Sequence, residues 1–347
     1  MNIQRLAVIA SLSAMVAACG GGGGSSDTVG SGTPTPPPPA PSAPAPAPTP
    51  SAPAGTTQNT PTYAAGSVQS TILTQVNSNR SQCGFPTLSQ NTILDAAAQA
   101  HTDYQVANGF VVTDEEVVGN PDFTGVTAND RAIAKGWPSG LYAATQNAGV
   151  IDGNLTTDAQ YGATTFQAWE TGVYHQTAVT WLANVVGIGT SSGTYSGSTA
   201  VISGLVFSSD GSGTDKIAAN QLPATFPCAG VTGIPSYGAG ESPMPPVYET
   251  VSTVSGDIQR WGTPVTVEGN STDVVQLSAA TYTAPDNTVI QLNQVTAAND
   301  PNKLTTANKV VAYPTNALAS NTTYTVDLVG TINGVAFTKH FTFTTGN

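Results

Sequence analysis

The sequence predicts an α+β fold followed by an all-β unit, both behind a disordered Pro-rich linker. Apolar residues fall at helical spacing between Ser67 and Asn108. Two β-branched runs, Asn184 to Thr190 and Thr199 to Phe207, are parted by a Ser/Gly turn; helices followed by an antiparallel pair argue α+β. The last hundred residues alternate between faces and carry Asn333-Gly334, a strong hairpin signal.

A length of 347 residues allows one to three domains with a real core. Only 9% of residues are charged, and 9 Lys+Arg against 21 Asp+Glu leave a net charge of −12. That balance excludes nucleic acid as a partner, because phosphate binding needs a clustered basic surface. Three cysteines, Cys19, Cys83 and Cys228, are too few for a disulfide-dense miniprotein or a four-ligand zinc site.

Residues 1–19 read as a leader. One positive charge precedes an apolar run from Leu6 to Val16, too short for the ~20 residues that span a bilayer. Val16-Ala17-Ala18-Cys19 resembles a bacterial lipobox, which implies cleavage before Cys19 and lipidation of its thiol. The other reading is an ordinary secretory signal followed by a free cysteine. Gly20 in place of an acidic residue points to the outer membrane of a Gram-negative envelope, with the lipid anchor as the membrane partner. Residues 20–62 form a linker; Pro36 to Pro53, free of bulky and charged side chains, predicts an extended polyproline-like spacer.

Ser67 caps a first helix that carries Val68, Ile72, Leu73 and Val76 on one face. Gln82 to Pro86 breaks it, and Asn91 to Asn108 resumes helical periodicity up to Gly109. Thr127 to Lys135 predicts a short helix stopped by Gly136, and Thr164–Glu170 and His175–Trp181 predict further helical turns.

These elements carry a resemblance. Val76-Asn77-Ser78-Asn79-Arg80, the run Leu94 to His101, Asn108-Gly109-Phe110, Thr127 to Ala132, Trp169 with His175, and Val185-Val186-Gly187-Ile188-Gly189 resemble, in order, the motifs of bacterial CAP domains. That superfamily includes the cysteine-rich secretory, antigen 5 and pathogenesis-related 1 proteins. The resemblance covers residues 63–232 and implies an α-β-α sandwich with a central cleft. It also implies a cavity framed by two histidines and two glutamates, a set suited to a divalent metal. Here Val112 stands where a histidine is expected, Gln146 stands for a glutamate beside a matching Asn147, and Glu170 is out of position. Only His175 matches, so the cavity candidates are His175, Gln146, Asn147 and Glu170, with no metal, no cofactor and no catalytic assignment. His175 either donates to a small ligand or ties a helix end to a carbonyl.

His101 reads as a packing histidine, His340 as a strand residue, and Asp114-Glu115-Glu116 as a solvated loop without calcium spacing. Gly189-Thr190-Ser191-Ser192-Gly193 fits the nucleophile-elbow expression but lies between two strands, which argues against a serine hydrolase. Cys83 and Cys228 flank the CAP-like region; in an oxidising compartment they pair most simply with each other, two buried thiols being the alternative.

Residues 233–247 read as a second linker and 248–347 as a β-sandwich. Leu318 to Tyr324 resembles the approach to a late strand of immunoglobulin-like or fibronectin-type sandwiches. Lys339, on an otherwise apolar face, marks a bulge or an edge. The functional expectation is a tethered, non-enzymatic binding or scaffold module for an unknown protein, lipid or cell-wall ligand. The alternatives are a CAP-type peptidase-like hydrolase and a carrier of a sterol or fatty acid.

Overall fold

The computed structural model describes residues 49–247 and 260–346. The leader, the lipobox with Cys19, most of the Pro-rich tract and residues 248–259 lie outside the described residues.

Helix α1 (Val68–Gln82) starts where Ser67 accepts from the Ser70 N–H, and it buries Val68, Ile72, Leu73 and Val76. Strand β1 (Ser89–Gln90) leads into α2 (Thr92–Ala107), capped by Asn91. Helix α3 (Ala128–Ala134) carries a reciprocal capping box between Thr127 and Asp130. Strand β2 (Ala144–Ile151) follows, then α4 (Asp158–Thr171), and α5 (Thr177–Thr180) is a single turn. Helix α4 begins earlier than expected because Thr157 and Gln160 form a second capping box.

Strands β3 (Val185–Tyr195) and β4 (Ser198–Ser208) form a long hairpin, turning at Ser196-Gly197 with φ of 49° and 83°. The sheet order is β1-β3-β4-β2. Leu94, Ala97 and Ala132 pack with Val185 and Val206 on one face, while Val186, Leu205 and Phe207 join Ile72 and Trp169 on the other. Gly187 and Gly189 let α2 lie directly on β3: a Cβ at either would fall 1.9 or 2.3 Å from the α2 backbone.

The remaining strands are β5 (Ala224–Phe226), β6 (Thr232–Ile234), β7 (Tyr237–Ala239), β8 (Arg260–Gly262), β9 (Val265–Glu268), β10 (Val275–Thr283), β11 (Val289–Gln291), β12 (Asn293–Thr296), β13 (Lys309–Tyr313), β14 (Thr323–Ile332) and β15 (Val335–Thr345). They form sheets ordered β11-β10-β14-β15-β6 and β12-β13-β9-β5, plus the pair β7-β8.

This arrangement corrects the expected fold class. The chain is mostly β, with 32% strand against 21% helix in four sheets, and is not a CAP α-β-α sandwich followed by an immunoglobulin-like domain. The physical reason lies in β5 and β6. β5 precedes the expected second linker and β6 runs into it, yet β5 pairs antiparallel with β9, and β6 pairs parallel with β15. One apolar core consequently runs from Ile72 and Trp169 through Phe226 to Tyr282 and Phe343. Strand β2, unforeseen in the sequence, and the eleven-residue arms of the hairpin add further β content.

Other contacts knit the same body together. Cys83 and Cys228 form a disulfide with Cα atoms 5.4 Å apart, tying the end of α1 to the segment after β5. Arg80 is fully buried and donates to the carbonyls of Pro86, Val179, Trp181 and Ala183. Burial lowers its pKa to about 9, against the pull of the Glu268 charge, so the guanidinium stays charged at neutral pH. Glu268 itself pairs with Lys309 at 3.3 Å, both buried. Residues 50–62, read from sequence as linker, pack on the body: the Pro50 ring lies against Gly140, the Ala52 N–H donates to Asp210, and Thr57 bridges to Asn91.

Strand β15 pairs with β14 along its length but with β6 only at Thr344 and Thr345. Lys339 therefore sits on a free edge, where burial lowers its pKa; an inward charge on an open edge opposes pairing with a second chain.

Candidate functional site

The site is built on the turn joining α4 to α5. Gly172 ends α4, and the next three residues present their N–H groups to one carboxylate. Glu241 Oε2 accepts from the Val173 N–H at 2.8 Å, and Oε1 accepts from the Tyr174 and His175 N–H groups, each at 2.7 Å. His175 Nδ1 completes the set at 2.7 Å from Oε1. Only glycine fits at 172, because a Cβ there would stand 2.7 Å from the His175 Cβ and 2.8 Å from Oε1.

The turn is also held from the C-terminal strands. Gln176, fully buried, donates to the carbonyls of Glu170 and Pro264 and accepts from Thr266 on β9. The Tyr174 hydroxyl donates to Asp300 at 2.8 Å, and the Trp261 indole donates to the Thr171 carbonyl at 2.8 Å. A Glu241 carboxyl with this many donors is held in one orientation, and it orients the imidazole in turn.

The His175 side chain is one-fifth exposed and Glu241 almost wholly buried. Nε2 has no protein partner among the described residues, so one edge of the ring is left to the cleft. Burial alone would lower the His175 pKa, but the bond and charge of Glu241, with Asp114 nearby, raise it above its ordinary value of 6.5. With Nδ1–H given to Glu241, Nε2 accepts when the ring is neutral and donates when it is protonated.

The cleft has two lobes that share Asp114, Glu115, His175, Ser242 and Pro243. One, of about 380 Å³, adds Tyr142, Gln146, Trp181 and Lys303; the other, of about 570 Å³, adds Val112, Asn147 and Trp169. A larger cavity of about 670 Å³ opens between β10, β13 and β14, but its one titratable side chain, Lys309, is spent on Glu268.

Of the residues singled out in the sequence, the structure brings His175, Gln146 and Asn147 together. Gln146 Nε2 donates to the Thr177 hydroxyl at 2.8 Å, and Asn147 Nδ2 donates to Asp114 at 2.7 Å. Val112 lines the cleft where the resemblance implied a histidine. Glu170 lies elsewhere, buried where α4 meets α1, and accepts from Asn79 at 3.2 Å. Burial pushes its carboxyl up to about 8, with the Asn79 bond opposing. Among the described residues no group of three His, Cys, Asp or Glu could hold a metal ion.

Three residues escaped the sequence reading. Glu241 fell in the expected linker, where a lone carboxylate among Gly, Pro and Ser in a charge-poor chain was the available signal. Asp114 reaches the cleft from a run read as solvated. Glu116, from the same run, is 2% exposed and binds His101, Thr124 and Gly125, so the solvated reading fails for it, while Asp114 and Glu115 are exposed but line the cleft. Ser191 lies within β3 and bonds Asp103 and Thr102, with no histidine bonded to it among the described residues. No protein-family model matches this chain, and no curated protein matches it.

Proposed function

We propose that this chain is an extracytoplasmic, lipid-anchored binding module that takes its ligand in the cleft at His175 without transforming it. The anchor rests on the Val16 to Cys19 segment. The binding reading rests on one observation: Glu241 orients His175 and Nε2 is left to the cleft, with no hydroxyl or thiol bonded to it among the described residues. Gln146, an amide, neither carries a proton nor supports a metal as a carboxylate would. An imidazole held this way offers a directed hydrogen bond at low entropic cost.

The test is a histidine side-chain ¹⁵N NMR titration of the full chain with dialanine, chitotriose and palmitate as probes. One class moves the His175 Nε2 resonance and is recovered intact; if none moves it, the binding reading fails. Labelled palmitate incorporated by the wild type and lost in Cys19→Ala supports the anchor, and equal labelling refutes it. The pairing of carboxylate and imidazole favours a second reading, a hydrolase in which His175 acts as general base on water. Turnover of a probe that His175→Ala abolishes would select that reading over the first.

A further inference from the structure

Resting on the binding reading above, we infer that the cleft recognises a small zwitterion, an amino acid or short peptide that offers an ammonium and a carboxylate together. The cleft carries unpaired charges of both signs. Asp114 and Glu115, from the loop after α2, supply carboxylates; Lys303, from the loop between β12 and β13, supplies an ammonium. None of the three belongs to an ion pair among the described residues, although the chain has only nine Lys and Arg to spend.

The loop that carries Lys303 is a built feature. Asp300 accepts from the N–H groups of Asn302, Leu304 and Thr305, and the Tyr174 hydroxyl bonds the same carboxylate. This clamp holds Lys303 at φ 54°, in the left-handed region a lysine rarely adopts. The same Tyr174 neighbours His175, so the loop and the imidazole are fixed to one turn.

Charge and size then select the ligand. A ligand carboxylate meets Lys303, joined by Nε2–H when the His175 ring is protonated; a ligand ammonium meets Asp114 and Glu115. A fatty acid would leave two carboxylates facing its tail, and a neutral glycan would leave Lys303 without a counter-charge. A lobe of about 380 Å³ holds a ligand of dipeptide size, and the second lobe beyond His175 gives room for a longer chain.

Isothermal titration calorimetry of the full chain tests this with dialanine, N-acetyl-dialanine, dialanine amide and chitotriose. Dialanine binds, and each blocked form binds at least tenfold more weakly. Lys303→Ala reduces the affinity for dialanine to that of the amide on wild type, and Glu115→Gln combined with Asp114→Asn reduces it to that of the acetylated form. Equal binding of blocked and free dialanine overturns the inference. So does binding of chitotriose, with the His175 resonance moving, in the absence of dialanine binding; the binding reading then survives alone. If no probe binds and neither these probes nor palmitate moves His175, both fall. Unfolding curves of the variants that match wild type assign the losses to the cleft, since Lys303 and Glu115 are exposed.

Discussion

Two histidine–glutamate pairs in this molecule have nearly the same contact and opposite fates. His101 meets Glu116 at 2.9 Å through Nδ1, and its Nε2 donates to the Thr113 carbonyl at 2.7 Å. Glu116 also takes the Thr124 and Gly125 N–H groups, with Arg131 at 3.7 Å. His175 meets Glu241 at 2.7 Å, and its carboxylate is equally saturated, yet the other ring nitrogen has no protein partner among the described residues. A pair whose every valence is used belongs to the fold, and one with a nitrogen left over in a cleft can serve a ligand.

The largest effect that could break this contrast comes from the closed pair. Glu116→Ala strands Arg131 and His101 in a dry interior, and loss of one partner of such a cluster costs about 3–5 kcal/mol. Urea unfolding measures it; a loss under 1 kcal/mol would mean that the pair is not structural. Glu241→Gln keeps an oxygen for the Tyr174 and His175 N–H groups and loses the acceptor only for Val173, so its unfolding midpoint moves less.

Glu170 sharpens the comparison as a buried carboxylate with neither histidine nor cation. Its folded pKa of about 8 lies above the ordinary 4.5, so the folded state holds its proton while the unfolded chain releases it. Stability is therefore greatest below pH 4.5 for this group and falls as pH climbs towards 8. The expected loss is at most about 5 kcal/mol, for a rise from 4.5 to about 8 at ~1.4 kcal/mol per pKa unit. Glu170→Gln keeps the Asn79 contact and abolishes the slope; a slope unchanged in this variant would place the titration elsewhere.

For His175 the sign is also set by a raised pKa. Its contribution is complete below pH 6.5 and is lost as pH rises through the folded value. In Glu241→Gln the imidazole loses the bond and charge that raise its pKa, so the pKa falls, read by NMR. A pKa that stays put would assign the shift to Asp114 instead.

How much of this was legible in the sequence follows the range of the interaction. The helix starts at Ser67, Asn91 and Thr127 and the hairpin turn at Asn333-Gly334 rest on neighbours a few residues apart, and those signals match the structure. His101 read correctly as a packed residue because its face is periodic. The departures of β5 and β6 to distant sheets depend on partners at positions 266–268 and 344–345, which no local pattern reveals. Glu241 reaches His175 across 66 residues for the same reason. His175 and Asn147 were found through a resemblance whose fold the structure does not support, whereas their partners Glu241 and Asp114 are distant in sequence and carry no local signal of the pairing.

The third pair sets the lower limit of the comparison. His340 meets Asp327 at 2.6 Å, shorter than either of the other two, but the side chains are 74% and 47% exposed on the outer face of β14 and β15. Water competes for both partners and salt screens them, so short distance alone confers little. His340→Ala is therefore expected to leave the thermal midpoint where it is, at low and at high salt. A clear drop at low salt would show that the β15 edge relies on this pair, and that exposure is a poorer guide to a histidine's role than the contrast between His101 and His175 implies.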